Sequence, residues 1–117
     1  MHTFIVGSPG REAFARLTTR WKAENRVDAV VVNGENAAGG RGITGDLAEE
    51  LFSAGADVIT LGDHAWDQKG ILDYIEREPR LLRPANFSTD CPGKGYVRIE
   101  TKDGSRAAIQ LMLPLTV

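Results

Sequence analysis

At 117 residues the chain has room for one hydrophobic core, and its 42% apolar and 26% charged content excludes a disordered or fibrous polymer. Fourteen basic residues against sixteen acidic ones leave a formal net charge of -2, which excludes a global field that would draw the chain to long nucleic acid or to an anionic membrane. The single Cys91 excludes an internal disulfide, no stretch approaches membrane-spanning length, and Met1-His2-Thr3-Phe4 starts nothing like a signal peptide, so a cytoplasmic protein is expected.

From Pro9-Gly10 to about Asn25 the apolar Phe14, Leu17 and Trp21 recur at helical spacing, which predicts an amphipathic helix with Arg16, Arg20 and Lys22 toward solvent. Residues 27–32 form a nearly unbroken apolar run, the pattern of a strand buried on both faces, and end in the polar Asn33-Gly34-Glu35-Asn36. Thr44 is placed to cap a second helix with Leu47, Leu51 and Ala54 on one face, and Gly55 to stop it. Residues 57–61 read as the next strand. Asp67 is expected to cap a third helix through Ile71, Leu72 and Ile75, which Pro79 ends or follows. Residues 83–87 read as a short extended piece. Residues 95–100 and 105–113 read as two strands joined by Lys102-Asp103-Gly104, whose Asp-Gly favours a tight hairpin turn. The order strand, helix, strand, helix predicts an α/β fold with a parallel sheet, flanking helices and a C-terminal β-hairpin, as a single domain over residues 1–117.

Ligands on such sheets bind beyond the carboxyl ends of the strands. Two successive strands therefore deliver Asn33, Glu35 and Asn36 from one loop, and Asp63 and His64 from the next, to one edge. These are oxygen and nitrogen donors suited to Mg²⁺, Mn²⁺, Fe²⁺ or Zn²⁺, and a lone cysteine rules out a thiolate cage. The plainer reading stays open at this point, since Asn-Gly and Gly-Asp are ordinary turn formers and His64 could cap a helix or bond a carbonyl. The loop Ala37-Ala38-Gly39-Gly40-Arg41-Gly42 could cradle a phosphate, but it matches neither of the usual glycine-rich phosphate motifs, and a flexible turn into the Thr44 helix is the expectation. Trp66 and Phe87 are candidates for a place near the site, with core packing the default for aromatic residues over a ligand platform. Arg11 and Arg83 are candidate phosphate contacts, with surface solvation the default for both, and His2 is expected to be an exposed terminal residue.

The ordered blocks Ile5-Val6-Gly7-Ser8-Pro9-Gly10-Arg11, Asn33-Gly34-Glu35-Asn36-Ala37-Ala38-Gly39-Gly40, Gly62-Asp63-His64-Ala65-Trp66-Asp67, Arg83-Pro84-Ala85-Asn86-Phe87 and Pro92-Gly93-Lys94-Gly95 are more specific together than any one of them. The chain resembles the YmdB-like family of calcineurin-type metallophosphoesterases from about Ile5 to about Met112. The resemblance implies a partial metallophosphoesterase fold and a cytoplasmic phosphodiesterase that hydrolyses 2′,3′-cyclic nucleotides or related phosphate esters by metal-hydroxide attack on phosphorus. It implies two divalent metal ions (Fe, Mn, Mg or Zn), with Glu35 as the carboxylate between them, Asn36 as a ligand or phosphate contact, and Asp63 as a further ligand. His64 becomes the general acid or the group that stabilises phosphoryl charge.

The family pattern is also broken in places. Phe4 stands where relatives place a metal-binding Asp, no histidine follows His64, and residues 113–117 depart from the family's continuation. A truncated member with an incomplete site, weak metal binding, uncovered sheet edge and apolar surface, and self-association as a possible homo-oligomer is the expectation. The implied partners are a small phosphate ester or cyclic nucleotide, with no membrane and no long nucleic acid. The alternatives carried beside it are a non-catalytic module that binds a nucleotide or a partner through the same loops, and an inactive fragment.

Overall fold

A strand that is apolar along its whole length has to be covered on both faces, and the structure shows how each face is covered. The computed structural model describes residues 2–5, 10–101, 104–110 and 112–113, with side chains from Glu12 onward. The readings placed on residues 6–9, on the side chains of His2, Phe4 and Arg11, on Lys102 and Asp103, and on residues 114–117 lie outside that description.

The order is β1 (His2–Ile5), α1 (Gly10–Ala23), β2 (Val30–Asn33), α2 (Gly45–Ser53), β3 (Val58–Thr60), α3 (Ile71–Arg77), β4 (Leu81–Leu82), β5 (Tyr96–Glu100) and β6 (Arg106–Gln110). The first four strands pair in sequence order as a parallel sheet, and β5 and β6 pair antiparallel. Right-handed crossovers that all advance the sheet in the same direction are expected to leave the three helices on one face, and residues of all three share one core cluster. Side-chain alternation agrees: Val30, Val32, Ile59, Leu61 and Leu81 join Phe14, Leu51, Ile71 and Ile75 in one core. The intervening Val31, Val58 and Leu82 pack against Val97, Ile99 and Ile109. The hairpin thus covers the face that the helices leave open, and each fully buried Val, Leu or Ile contributes about 1.5–3 kcal/mol of hydrophobic stabilisation.

Among the described side chains, those of β2, β3 and β4 are thus covered on both faces of the sheet. The large hydrophobics left exposed among the described residues are Leu72, Tyr96 and Met112. No helix among these residues is long and apolar enough to cross a membrane.

Thr44 caps α2 as its position predicts, its hydroxyl accepting from the Leu47 amide at 3.2 Å. Three local expectations are corrected. β2 starts at Val30 rather than residue 27, because its partner β1 pairs only with residues 30–33. Asp67 does not cap the third helix: α3 starts at Ile71 behind Gly70, whose φ of 81° is left-handed and which makes no side-chain cap. The strand before the third polar loop is Leu81–Leu82, and residues 83–87 turn instead of extending. Pro84 has no amide to continue the ladder, and its carbonyl accepts from the Phe87 amide at 3.2 Å. Asn86 then pins the chain beyond β6, donating to the Leu113 carbonyl at 2.8 Å and accepting from its amide at 3.1 Å.

Candidate functional site

β2 and β3 end side by side, and a cross-strand bond continues past their last paired residues. The Gly34 amide donates to the Thr60 carbonyl at 2.8 Å. Asn33, the last residue of β2, turns its side chain back to accept from the Glu35 amide at 3.1 Å, which fixes the start of the loop. Glu35 is half-buried, and its carboxylate leans across to the tip of β3. A Cβ built on Gly62 would fall on that carboxylate, with Oε1 3.1 Å away and Oε2 closer still. Position 62 is glycine because the Glu35 carboxylate occupies the space of its side chain.

The glycine-rich loop locks the two tips together. The Gly42 amide donates to the Glu35 carbonyl. Gly42 has a φ of +67°, and a Cβ there would stand 2.5 Å from the His64 carbonyl. Both the left-handed backbone and the close approach require glycine. Gln68 completes the lock by donating from Nε2 to the Arg41 carbonyl at 2.7 Å and, more weakly, to the Ala38 carbonyl at 3.5 Å. The amides of Ala37, Ala38, Gly40, Arg41 and Gly42 are all bonded to carbonyls of the loop itself. These five amides are thus turned into the loop itself instead of forming an open cradle.

His64 lies in the turn after Gly62 with its side chain 42% exposed, and its Nδ1 is 2.8 Å from Oδ2 of Asp67. A carboxylate only accepts, so Nδ1 carries the proton of this bond and Nε2 is left for another group. Asp63 and Asn36 are exposed at the same edge. The structure thus brings Glu35 onto the Gly62-Asp63-His64 turn, as the strand order predicts, with Asp63 and Asn36 on its rim. Sequence reasoning does not single out Asp67, Gln68 or Gly42 as site residues. The spacing of His64 and Asp67 by three residues in a turn is the one available signal for the first of them, and the bonds of Gln68 and Gly42 depend on long-range contacts.

Among the described residues no three His, Cys, Asp or Glu side chains are grouped so as to hold a metal ion. Trp66 and Phe87 pack tilted against one another with centroids 6.1 Å apart, on the border of the main core. Arg83, expected in solvent, is instead 6% exposed.

The model of the family described as YmdB-like protein matches residues 3–115. A 2′,3′-cyclic-nucleotide 2′-phosphodiesterase of Bacillus subtilis (strain 168) is 41% identical over 107 residues, covering 92% of this chain and 40% of that protein. The crystal structure of a hypothetical protein from Thermus thermophilus superimposes with a TM-score of 0.81 at 34% identity, over 96% of this chain and 44% of that one. That of a novel phosphatase from Mycoplasma pneumoniae gives 0.82 at 29% identity, over 98% of this chain and 42% of that one. The chain thus spans less than half the length of these relatives, and it shares their fold over nearly all of its own. Two of the blocks that carry the resemblance in sequence, residues 33–40 and 62–67, lie at the tips of β2 and β3, and the chain belongs to the YmdB-like protein family.

Proposed function

We propose that this chain contributes a phosphoester-hydrolysing site, with 2′,3′-cyclic nucleotides as the substrate class. The single observation that supports the reading most is the Glu35 carboxylate packed onto the turn that carries Asp63 and His64. In hydrolysis water adds to phosphorus while a ribose oxygen leaves, and that oxygen needs a proton. Doubly protonated His64 donates it from Nε2, while Asp67 holds the ring through Nδ1 and balances its charge. The glycine-rich loop and Gln68 hold the turn that carries His64 against the Glu35 loop, so the proton donor and the carboxylates keep one relative geometry.

Family resemblance adds metal dependence to this proposal, with Glu35, Asn36 and Asp63 as the oxygen donors this chain would offer. A bound divalent cation would neutralise charge on the phosphoryl oxygens. Three protein donors fall short of the coordination shells of two divalent cations, so binding by these residues alone is expected to be weak. The test is hydrolysis of 2′,3′-cyclic AMP and of bis-p-nitrophenyl phosphate with and without added Mn²⁺. Manganese-dependent turnover that falls by about a hundredfold or more in His64→Ala supports the reading. Turnover unchanged in His64→Ala, or equally fast after chelation, contradicts it.

A further inference from the structure

A cavity of about 690 Å³ lies between the turn after β4 and the hairpin. None of its lining residues belongs to the Glu35 and His64 edge, so a role for this cavity does not depend on the proposed hydrolysis. Arg83 forms its floor. The residue is 6% exposed, with Nη1 donating to the Pro84 carbonyl at 3.0 Å, while Nε is buried without a hydrogen-bond partner. Gly95 leaves the room for it: a Cβ at 95 would stand 3.2 Å from Nη1 and 2.7 Å from the Ala85 Cα. Lys94 and Arg98 line the same cavity, and among the described residues no Asp or Glu does. Buried guanidinium groups are found paired, because desolvated charge is strongly disfavoured without a counter-charge. Here a buried cation and two further cations share one cavity with no carboxylate among its described lining residues. Tyr96, 56% exposed on the same wall, adds an aromatic face.

We propose that this cavity is a binding site for a phosphate-bearing small molecule of mononucleotide size, its phosphate held by Arg83, Lys94 and Arg98 and its base set against Tyr96. Planar forked donors suit phosphate oxygens, an aromatic face suits a base, and the volume lies in the ordinary range for small-ligand sites.

The test is calorimetric titration of the full chain with 5′-AMP, inorganic phosphate and adenosine in turn, with EDTA present throughout. The expected result is saturable binding of AMP with Kd below about 1 mM, phosphate weaker by about tenfold, and no binding of adenosine. Lys94→Glu and Arg98→Glu, both at exposed positions, each weaken AMP and phosphate by about tenfold or more, and Tyr96→Ala weakens AMP alone. Glu35→Gln leaves all three titrations unchanged. Arg83→Met abolishes binding if it folds, and the two surface variants decide the matter if it does not. Absence of saturation by AMP and phosphate up to about 10 mM overturns the proposal. So does AMP binding that survives the combined Lys94→Glu and Arg98→Glu changes, or adenosine binding as tightly as AMP.

Discussion

The Glu35 carboxylate occupies the space that any side chain at position 62 would need. Gly62→Ala should therefore destabilise the fold by about 1–3 kcal/mol through overpacking, and much less when Glu35 is already alanine. A double-mutant cycle by urea unfolding measures the difference. Equal cost in both backgrounds would mean that the carboxylate lies elsewhere.

The bond between His64 and Asp67 fixes which ring nitrogen carries the proton. At a pH where the ring is neutral, nitrogen NMR of the histidine side chain should report Nδ1–H as the main form in the wild type. In Asp67→Ala that preference should disappear, with unfolding free energy changed by about 1 kcal/mol or less, because both side chains are substantially exposed. A wild type with its proton on Nε2 would remove Asp67 from the proposed site.

Gln68 ties the glycine-rich loop through the Arg41 carbonyl. Gln68→Ala should cost about 1 kcal/mol and raise amide hydrogen exchange at Ala38 and Gly42 while leaving β2 and β3 protected. Exchange that rises uniformly across the sheet would indicate global loosening instead.

The hairpin covers one sheet face through Val97, Ile99 and Ile109. Ile109→Ala, a half-buried position, should cost about 1–3 kcal/mol by thermal or urea unfolding. An unchanged midpoint would mean that β5 and β6 do not protect Val31, Val58 and Leu82 in solution.

Hydrogen bonding from Arg80 holds the Glu78 carboxyl below its usual value, against the opposing effect of its burial. A carboxyl with a depressed folded pKa adds stability that is fully present above its unfolded pKa and is lost as pH falls through the lower folded one. Glu78→Gln should therefore lower stability at neutral pH and flatten the acid limb of the stability curve, measured by unfolding between neutral pH and about pH 2. An acid limb of unchanged slope would show that the pair contributes nothing.

The parallel sheet, the Thr44 cap and the hairpin are legible in the sequence because each has a local signature: an unbroken apolar run, a capping hydroxyl ahead of an amphipathic helix, and alternation around a turn. The true start of β2 is not, because Val27 and Ala29 are buried like strand residues while the partner strand reaches only from residue 30. Asp67 suits a cap by its position, yet its carboxylate is engaged by His64, and α3 starts only behind Gly70. The burial of Arg83 is invisible for the same kind of reason. Arginine is a surface residue by default, and the glycine that makes room for it lies well downstream, at Gly95. The meeting of Glu35 with the Asp63 and His64 turn follows from strand order, and Gly62 and Gly42, which permit it, are explained only by the contacts they make.

The most direct test of a shared site at the tips of β2 and β3 is titration of nitrogen-15-labelled protein with Mn²⁺, read by paramagnetic broadening. A shared site predicts that the amides of Gly34, Glu35, Gly62, Asp63 and His64 broaden first and together, and that Glu35→Gln removes the effect. Broadening that begins instead at the exposed acids of α2, Asp46, Glu49 and Glu50, or that persists unchanged in Glu35→Gln, would contradict it.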